Sequence, residues 1–298
     1  MTTKPVDSPY LVPFDGSFSV AAAPTAPPKD ALDDKALEKK LDKRIDKMAK
    51  LQRKLYADDR FALLLVFQAM DAAGKDSTIR TVMSGVSPAG FQVFAFKAPS
   101  KEELDHDFLW RTASRLPERG RIGIFNRSYY EEVLVVKVHP EYLRGQRLPG
   151  LPDTGPDEGF WESRYRSIRD HERHLSDNGT RVVKFWLNVS HEEQHRRFLA
   201  RIDDPEKNWK FAAGDVAESR HWDRYMEAYE QALNATSRPE APWYAIPADD
   251  KEFMRATVAD IVCKTIEDLP LAWPEPSEKD RAEMLALRSE IAAGLGVK

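Results

Sequence analysis

Ala69-Met70-Asp71-Ala72-Ala73-Gly74-Lys75-Asp76-Ser77-Thr78 gathers a lysine, two carboxylates and two hydroxyls around one glycine. A phosphate-binding loop reads G-x-x-x-x-G-K-[ST]: its backbone N–H groups cradle phosphates, its lysine reaches them and its hydroxyl contacts a metal or a phosphate. Two letters depart from that pattern. Ala69 stands for the first glycine, and Asp76 follows Lys75, which moves Ser77 and Thr78 one and two positions later. Gly74 can supply a positive φ or a close backbone approach, and alanine is tolerated at Ala69 if φ there is negative. Asp71 would repel a phosphate unless a cation lay between them, so it points to Mg²⁺. Asp76 reads as a cap on a helix dipole. A plain strand-turn-helix connection is the alternative.

A second group lies in "IFNRSYYEE", where Asn126 stands in place of a metal-holding aspartate, Arg127 follows it, and Glu131 comes about one helical turn later. A third lies in "QHRRFLARI" and "DPEKNWK". Phe198, Leu199 and Ile202 make the apolar stripe of that helix, while Arg197 and Arg201 share its flank, where they could close over a phosphate chain with Lys207 and Lys210 extending the basic surface. Lys97, ending another strand, is placed to meet an acceptor phosphate or is simply a surface lysine. His171 with His174, and His191 with His195, have helical metal-ligand spacing but no H-E-x-x-H motif, and read as surface histidines. Trp161, Trp186 and Trp243 read as core or lid packing, Tyr129 and Tyr130 as packing, and Trp209, between cations, as the aromatic to test for base or lid contact.

These groups need elements to hold them. The chain has 298 residues, 42% hydrophobic and 32% charged, a soluble globular composition. Its longest apolar run, Phe61 to Phe67, is far short of the roughly 18 residues of a membrane span, no targeting peptide is expected, and a single cysteine, Cys263, favours a cytoplasmic location. A net charge of −4 argues against a general nucleic-acid binder. From Arg164 to Lys210, however, basic residues including Arg181 and Lys184 concentrate. They suit a polyanion, or a solvated helix face balanced by acids, and on charge alone the solvated face is favoured.

Residues 1–30, with six prolines, read as a poorly ordered or surface-clinging arm. Leu37, Leu41, Ile45, Met48 and Leu55 then trace one stripe of a long helix. Strands follow at Phe61–Phe67, Phe91–Phe96, Arg121–Asn126, Arg181–Val189 and Pro242–Ala248. Helices between them are read after the glycine loop (Ile79, Val82, Met83, Val86), around Glu102–Arg115, from Ser128, after the loop Gln146–Gly159, and at Asp250–Glu267. A last helix starts near Ser277, with Asp280 as its capping partner. The alternation predicts an α/β fold, a five-stranded parallel sheet sandwiched by helices. The phosphate loop falls between a strand and a helix start, where free amides and the helix dipole attract an anion.

"AMDAAGKDSTIR", "FKAPSKEELDHDFLWR", "GRIGIFNRSYYEEVLV" and "RFLARIDDPEKNWKF", in this order, resemble the polyphosphate kinase 2 family over most of residues 31–270. The resemblance implies a P-loop kinase fold with a helical lid at about 190–214, an N-terminal arm over 1–30 and a C-terminal helix in 271–298. It implies phosphoryl transfer between inorganic polyphosphate and a nucleotide with Mg²⁺, for which Mn²⁺ could substitute. Asp71, Lys75, Arg127, Asn126 and Glu131 are then the catalytic set, and Asp71, Asn126 and Glu131 the metal set. Ala72, Ala73, Gly74, Lys75, Asp76, Ser77, Thr78, Arg80, Arg197, Arg201, Lys207 and Lys210 would meet phosphate, and Lys97, Arg127 and Trp209 the acceptor nucleotide. Ala69 and Asn126 look like the branch that phosphorylates both mono- and diphosphates, converting AMP to ADP and ADP to ATP reversibly. Ala212 departs from the family's small hydroxyl after the lid's Trp-Lys pair. A homodimer or homotetramer is expected.

The physical reading agrees, because phosphoryl transfer needs positioning and charge neutralisation more than covalent help. Two other classes stay open: an ATP-dependent small-metabolite kinase, which needs no chain-binding surface, and a catalytically weak phosphate or nucleotide sensor. No N-K-x-D run supports a GTPase switch.

Overall fold

Ala62–Gln68 (β1) is buried at every position, as expected of a parallel strand covered on both faces. In the computed structural model of the protein, which describes residues 4–152 and 154–295, β1 is the middle strand of five. The others are Phe91–Ala95 (β2), Ile122–Asn126 (β3), Thr180–Asn188 (β4) and Trp243–Pro247 (β5). The order is β2-β3-β1-β4-β5 and all pairings are parallel. The strands agree with the sequence reading to within one residue.

The helices are α1 (Asp34–Asp58), α2 (Lys75–Val82), α3 (Lys101–Leu104), α4 (Trp110–Ala113), α5 (Val135–Val138), α6 (Leu143–Gln146), α7 (Glu158–Asp177), α8 (His191–Asp203), α9 (Ala213–Ser219), α10 (Trp222–Thr236), α11 (Lys251–Glu267) and α12 (Glu278–Leu295). Asp33 starts α1 by accepting from Ala36 N at 2.8 Å, and Leu37, Leu41, Ile45, Met48 and Leu55 are all buried. That stripe packs on α11, with Arg44 and Asp260 paired at 2.7 Å beside it. α2 packs on α11, while α7 and α10 pack together and with the turn after β3.

Three local expectations change. The helix read over Glu102–Arg115 is two short ones, because Asp107 accepts from Leu109 N at 2.9 Å and so offers the backbone a turn instead of a continued helix. The segment after Ser128 opens as a 3₁₀ turn, Tyr129–Val133, with the Ser128 hydroxyl accepting from Tyr130 N. α2 ends at Val82, although Met83 and Val86 stay buried beyond it.

The described part of the N-terminal arm clings to the sheet. Leu11 bridges Tyr244 antiparallel, Val12 N donates to Trp243 O at 2.9 Å, and Val12 is fully buried. This covers the β5 edge, which would otherwise offer unpaired backbone groups. At the other end Ser277 accepts from Asp280 N at 3.2 Å and starts α12, where no residue is buried.

The cationic stretch read as a polyanion surface or a solvated face proves partly to be neither. Lys184 is 0% exposed, its Nζ 2.5 Å from Glu172 Oε2 and 2.9 Å from both Tyr130 OH and Thr236 O. Tyr129 OH donates to Glu172 Oε1 at 2.9 Å. Burial pushes the Lys184 ammonium down to about 8 and the Glu172 carboxyl up. Arg181 is buried as well. Three positions apart, Arg181 and Lys184 point to opposite faces of β4, and both faces are covered; hydrogen-bonding partners make the burial tolerable.

Candidate active site

β1 ends at Gln68, and the loop from Ala69 to Gly74 carries the chain into α2. Within it only Ala72 (φ +62°) and Gly74 (φ +104°) have positive φ. Ala69 is therefore in a conformation that admits a Cβ, which is why alanine serves there. At Gly74 a Cβ would meet Met254 Cε at 3.3 Å as well as the backbone strain. Lys75 folds back over the loop, its Nζ 2.6 Å from Ala69 O and 3.3 Å from Met70 O. Burial lowers its pKa, with Asp71 opposing. The first N–H groups of α2 have no partner inside the helix, so the loop and helix start together form an anion cradle.

The C-terminal end of β3 delivers the second group. Arg127 takes positive φ (+63°), and its N–H donates to Phe67 O at 3.0 Å, fastening the turn to β1. Its Nη2 donates to Asp71 Oδ1 at 2.9 Å, and Nη1 lies 3.9 Å from Glu131 Oε2. Burial works against the guanidinium charge, but Glu131 and Asp71 more than offset it and its pKa is raised. Burial raises the Glu131 carboxyl, with Arg127 and Lys75 opposing. The structure thus brings Asp71, Lys75, Arg127 and Glu131 to one point.

It does not bring Asn126 into that point. The Asn126 amide donates to Asp76 Oδ1, so these two residues face each other at the start of α2, beside a separate groove lined by Arg80, Met83 and Val93. Asp76 lies in the first turn of α2, where its charge meets the helix dipole as expected, while Gly74 is the N-cap and has no side-chain bond. Ser77 donates to Gly74 O at 3.0 Å, and Thr78 is fully buried against Met254. As the loop stands, both hydroxyls are turned to the protein.

Next to Asp71 and Arg127 opens a cleft of about 610 Å³. Asp71, Arg127 and Glu131 line it together with apolar and aromatic side chains such as Leu104, Phe108, Val135 and Tyr142, and further charged groups, among them Lys97, Glu103, Arg111 and Glu218, stand on its wall. Such a lining suits a small ligand with one ionic end. Tyr225 and Tyr229, one turn apart on α10, line it too, and Gln68 and Ser128 support it from behind through a 3.1 Å bond. Nothing in their sequence context marks these residues as part of a site. Aromatics at i and i+4 look like core stripe, and only the chain's return from β4 places α10 against the loop.

The segment read as a lid departs from expectation at Arg197. Arg197 does not stand on an open flank with Arg201. α8 is rotated so that Gln194, Arg197 and Phe198 are buried, while Leu199 and Ile202 are 60% and 50% exposed. The guanidinium finds four carbonyls inside, and leaving those acceptors buried and unpaired would cost more than exposing two apolar side chains. Arg201 pairs with Asp215 at 3.3 Å, and Lys207 with Asp204 at 2.5 Å. Trp209 is 78% exposed, with Lys210 Nζ 4.9 Å from its ring centroid. Ala212 is the N-cap of α9 and offers it no side-chain bond, so the absent hydroxyl is an absent helix cap.

Among the described residues no three His, Cys, Asp or Glu side chains cluster as a metal-only cage. Mg²⁺ does not need one: it binds through one or two carboxylates, substrate phosphates and water. Asp71 and Glu131 fit, being hard oxygen donors that already converge on a cationic group.

A central parallel strand, a lysine-bearing loop at its carboxyl end, a facing arginine between two carboxylates and a helical cover define a P-loop phosphotransferase. The family model described as Polyphosphate kinase 2 (PPK2) matches residues 31–271, and the chain belongs to this family. An ADP-polyphosphate phosphotransferase from Rhodopseudomonas palustris is 56% identical over 82% of this chain and 84% of its own. An AMP/ADP-polyphosphate phosphotransferase from Meiothermus ruber is 45% identical over 77% and 80%. The crystal structure of polyphosphate kinase 2 from Arthrobacter aurescens superposes with a TM-score of 0.81 at 37% identity, covering 91% of this chain and 93% of that one.

Proposed function

We propose that this protein is a polyphosphate-dependent nucleotide phosphotransferase that takes both AMP and ADP as acceptors, reversibly and with Mg²⁺. The observation that carries the reading is the convergence of Lys75 and Arg127 on the loop beside a cleft that offers both charged groups and apolar and aromatic surface. The relatives' names supply the donor and the acceptors.

The acceptor's sugar and base occupy the apolar part of the cleft, and its terminal phosphate lies by Arg127 and Lys97. The amides of Ala72 and of Gly74 to Ser77, with the Lys75 ammonium, cradle the donor phosphates, while those of Ala73 and Thr78 bond to Met70 O and Gly74 O and hold the loop's shape. Arg201, Lys207, Lys210 and Arg80 attract the rest of the polyphosphate, Arg201 by exchanging Asp215 for phosphate. Arg127 neutralises charge on the transferred group, and its bond to Asp71 fixes where it does so. Held by Asp71 and Glu131, Mg²⁺ supplies charge neutralisation of the phosphates. Asn126 acts on that set through Asp76. Trp209 covers the nucleotide when the lid closes.

A homodimer or homotetramer is part of the proposal, supported by α12, which leaves Met284, Leu287, Ile291 and Leu295 exposed on a helix with no buried residue. A cytoplasmic location is supported by the lone buried thiol of Cys263; among the described residues no helix is long and apolar enough to cross a membrane.

The test is to incubate the protein with Mg²⁺, AMP or ADP, and long-chain polyphosphate as sole donor, and to analyse the nucleotides. ADP and ATP should form. Transfer only when ATP is supplied to a metabolite would leave the P-loop reading standing and overturn the donor; no transfer with any divalent metal would overturn the function.

A further inference from the structure

Three consecutive carbonyls of the phosphate loop are held by one turn of the lid's first helix. Gln194 Nε2 donates to Asp71 O at 3.0 Å. Arg197 Nη1 donates to Ala72 O at 3.2 Å and Ala73 O at 2.9 Å. The other guanidinium nitrogen, Nη2, donates to Ala248 O at 2.7 Å and Asp249 O at 3.0 Å, just past β5. Nε donates to Glu193 Oε1 at 2.8 Å, which fixes the plane of the fork. Gln194 is 0% and Arg197 8% exposed.

In a trans peptide the C=O and the following N–H point in opposite directions. Turning the carbonyls of Asp71, Ala72 and Ala73 toward α8 therefore turns the next amides away from it. One of these, Ala73 N–H, closes the turn onto Met70 O at 3.3 Å; those of Ala72 and Gly74 flank it. Ala72, whose carbonyl Arg197 holds, is the loop's one non-glycine residue at positive φ, so the clamp falls where the backbone is least relaxed.

We propose that Arg197 and Gln194 are positioning residues that shape the phosphate loop from beneath, and that Arg197 makes no contact with polyphosphate. The inference rests on reading the loop as the phosphate site. It gives α8 two roles divided along its length: the turn holding Gln194 and Arg197 is fixed to the loop and to the β5–α11 connection, and the part from Arg201 onward is the part that closes. A planar fork is required for the first role, since one ammonium cannot serve two carbonyl pairs, whereas a lysine suffices for a contact that is only charge.

Arg197→Lys and Gln194→Met separate these roles, assayed at a temperature where circular dichroism shows both folded. The readouts are kcat, the polyphosphate KM and its dependence on salt. Arg197→Lys should lower kcat by about 10–100-fold, as expected for misplaced donors, with the salt slope of KM unchanged. Gln194→Met, which removes no charge and keeps the side chain's shape, should lower kcat several-fold in the same way and folds even if the Arg197 variant does not. A salt slope smaller by about one in Arg197→Gln would make Arg197 a phosphate contact and overturn the proposal. A lower melting temperature with normal kcat in both would make the clamp structural only and also overturn it. Parent protein assayed alongside keeps the two readings apart: an inactive parent sinks the function, an active parent with active variants sinks the clamp.

Discussion

Arg127 Nη2 lies 2.9 Å from Asp71 Oδ1, joining the end of β3 to the phosphate loop across 56 positions of chain. Neither side chain packs in the core, and both line the cleft. Asp71→Asn and Lys75→Met should each lower kcat by about 10²–10³-fold, the scale of losing one preorganised electrostatic group, while the melting temperature moves little. Steady-state rates at saturating donor and acceptor, with a thermal melt of the same samples, check this.

Burial lowers the Lys75 pKa. As pH rises through that lowered value the Nζ loses its charge and with it the attraction for phosphate. The alkaline limb of kcat/KM, which reports the free enzyme, should therefore begin below the ordinary lysine range of about 10.4. Lys75→Arg should remove that limb even where it lowers the rate. An unshifted limb in the arginine variant would assign it to another group.

Asn126 and Asp76 are hydrogen-bonded, so Asn126→Asp sets two carboxylates face to face. Their repulsion is between about 1 and about 4 kcal/mol for separations near 4 Å, depending on how water-like the site is. The variant should melt lower in metal-free buffer and recover with Mg²⁺, and its ratio of kcat/KM for AMP over ADP should change. Equal ratios and equal metal response in parent and variant would make Asn126 a bystander.

Ala212 leaves α9 uncapped. Ala212→Ser should stabilise that helix by about 1 kcal/mol, seen as slower amide exchange across Ala213–Ser219. If this segment acts as the proposed lid, which would open to release product, kcat should fall modestly at the same time.

Lys184 and Glu172 form a buried pair at 2.5 Å. Lys184→Met leaves an uncompensated carboxylate and should destabilise by about 3–5 kcal/mol, with Lys184→Met/Glu172→Gln recovering most of it. With the Lys184 ammonium pushed down to about 8, the unfolded chain holds the extra proton from there up to about pH 10.4. This group's contribution to stability therefore rises with pH across that window. The double variant should lack that rise in urea melts taken at pH 8 and pH 10.

The sequence by itself determined the architecture and the centre of the site. Continuous apolar runs and 3.6-residue periodicity are local, so β1 to β5 and α1 were legible, and the loop motif is a contiguous stretch whose backbone does its own chemistry. Tertiary structure alone decided which way the charges face. Lys184 and Arg197 read as surface cations because solvation is the default for a charge; each is buried because carbonyls from segments distant in the chain, Thr236 for Lys184 and Ala73 and Ala248 for Arg197, meet it there. Tyr225 and Tyr229 joined the cleft, and Asn126 left the cluster for Asp76, for the same reason. A partner some 50 residues or more away leaves no periodicity in the sequence to read.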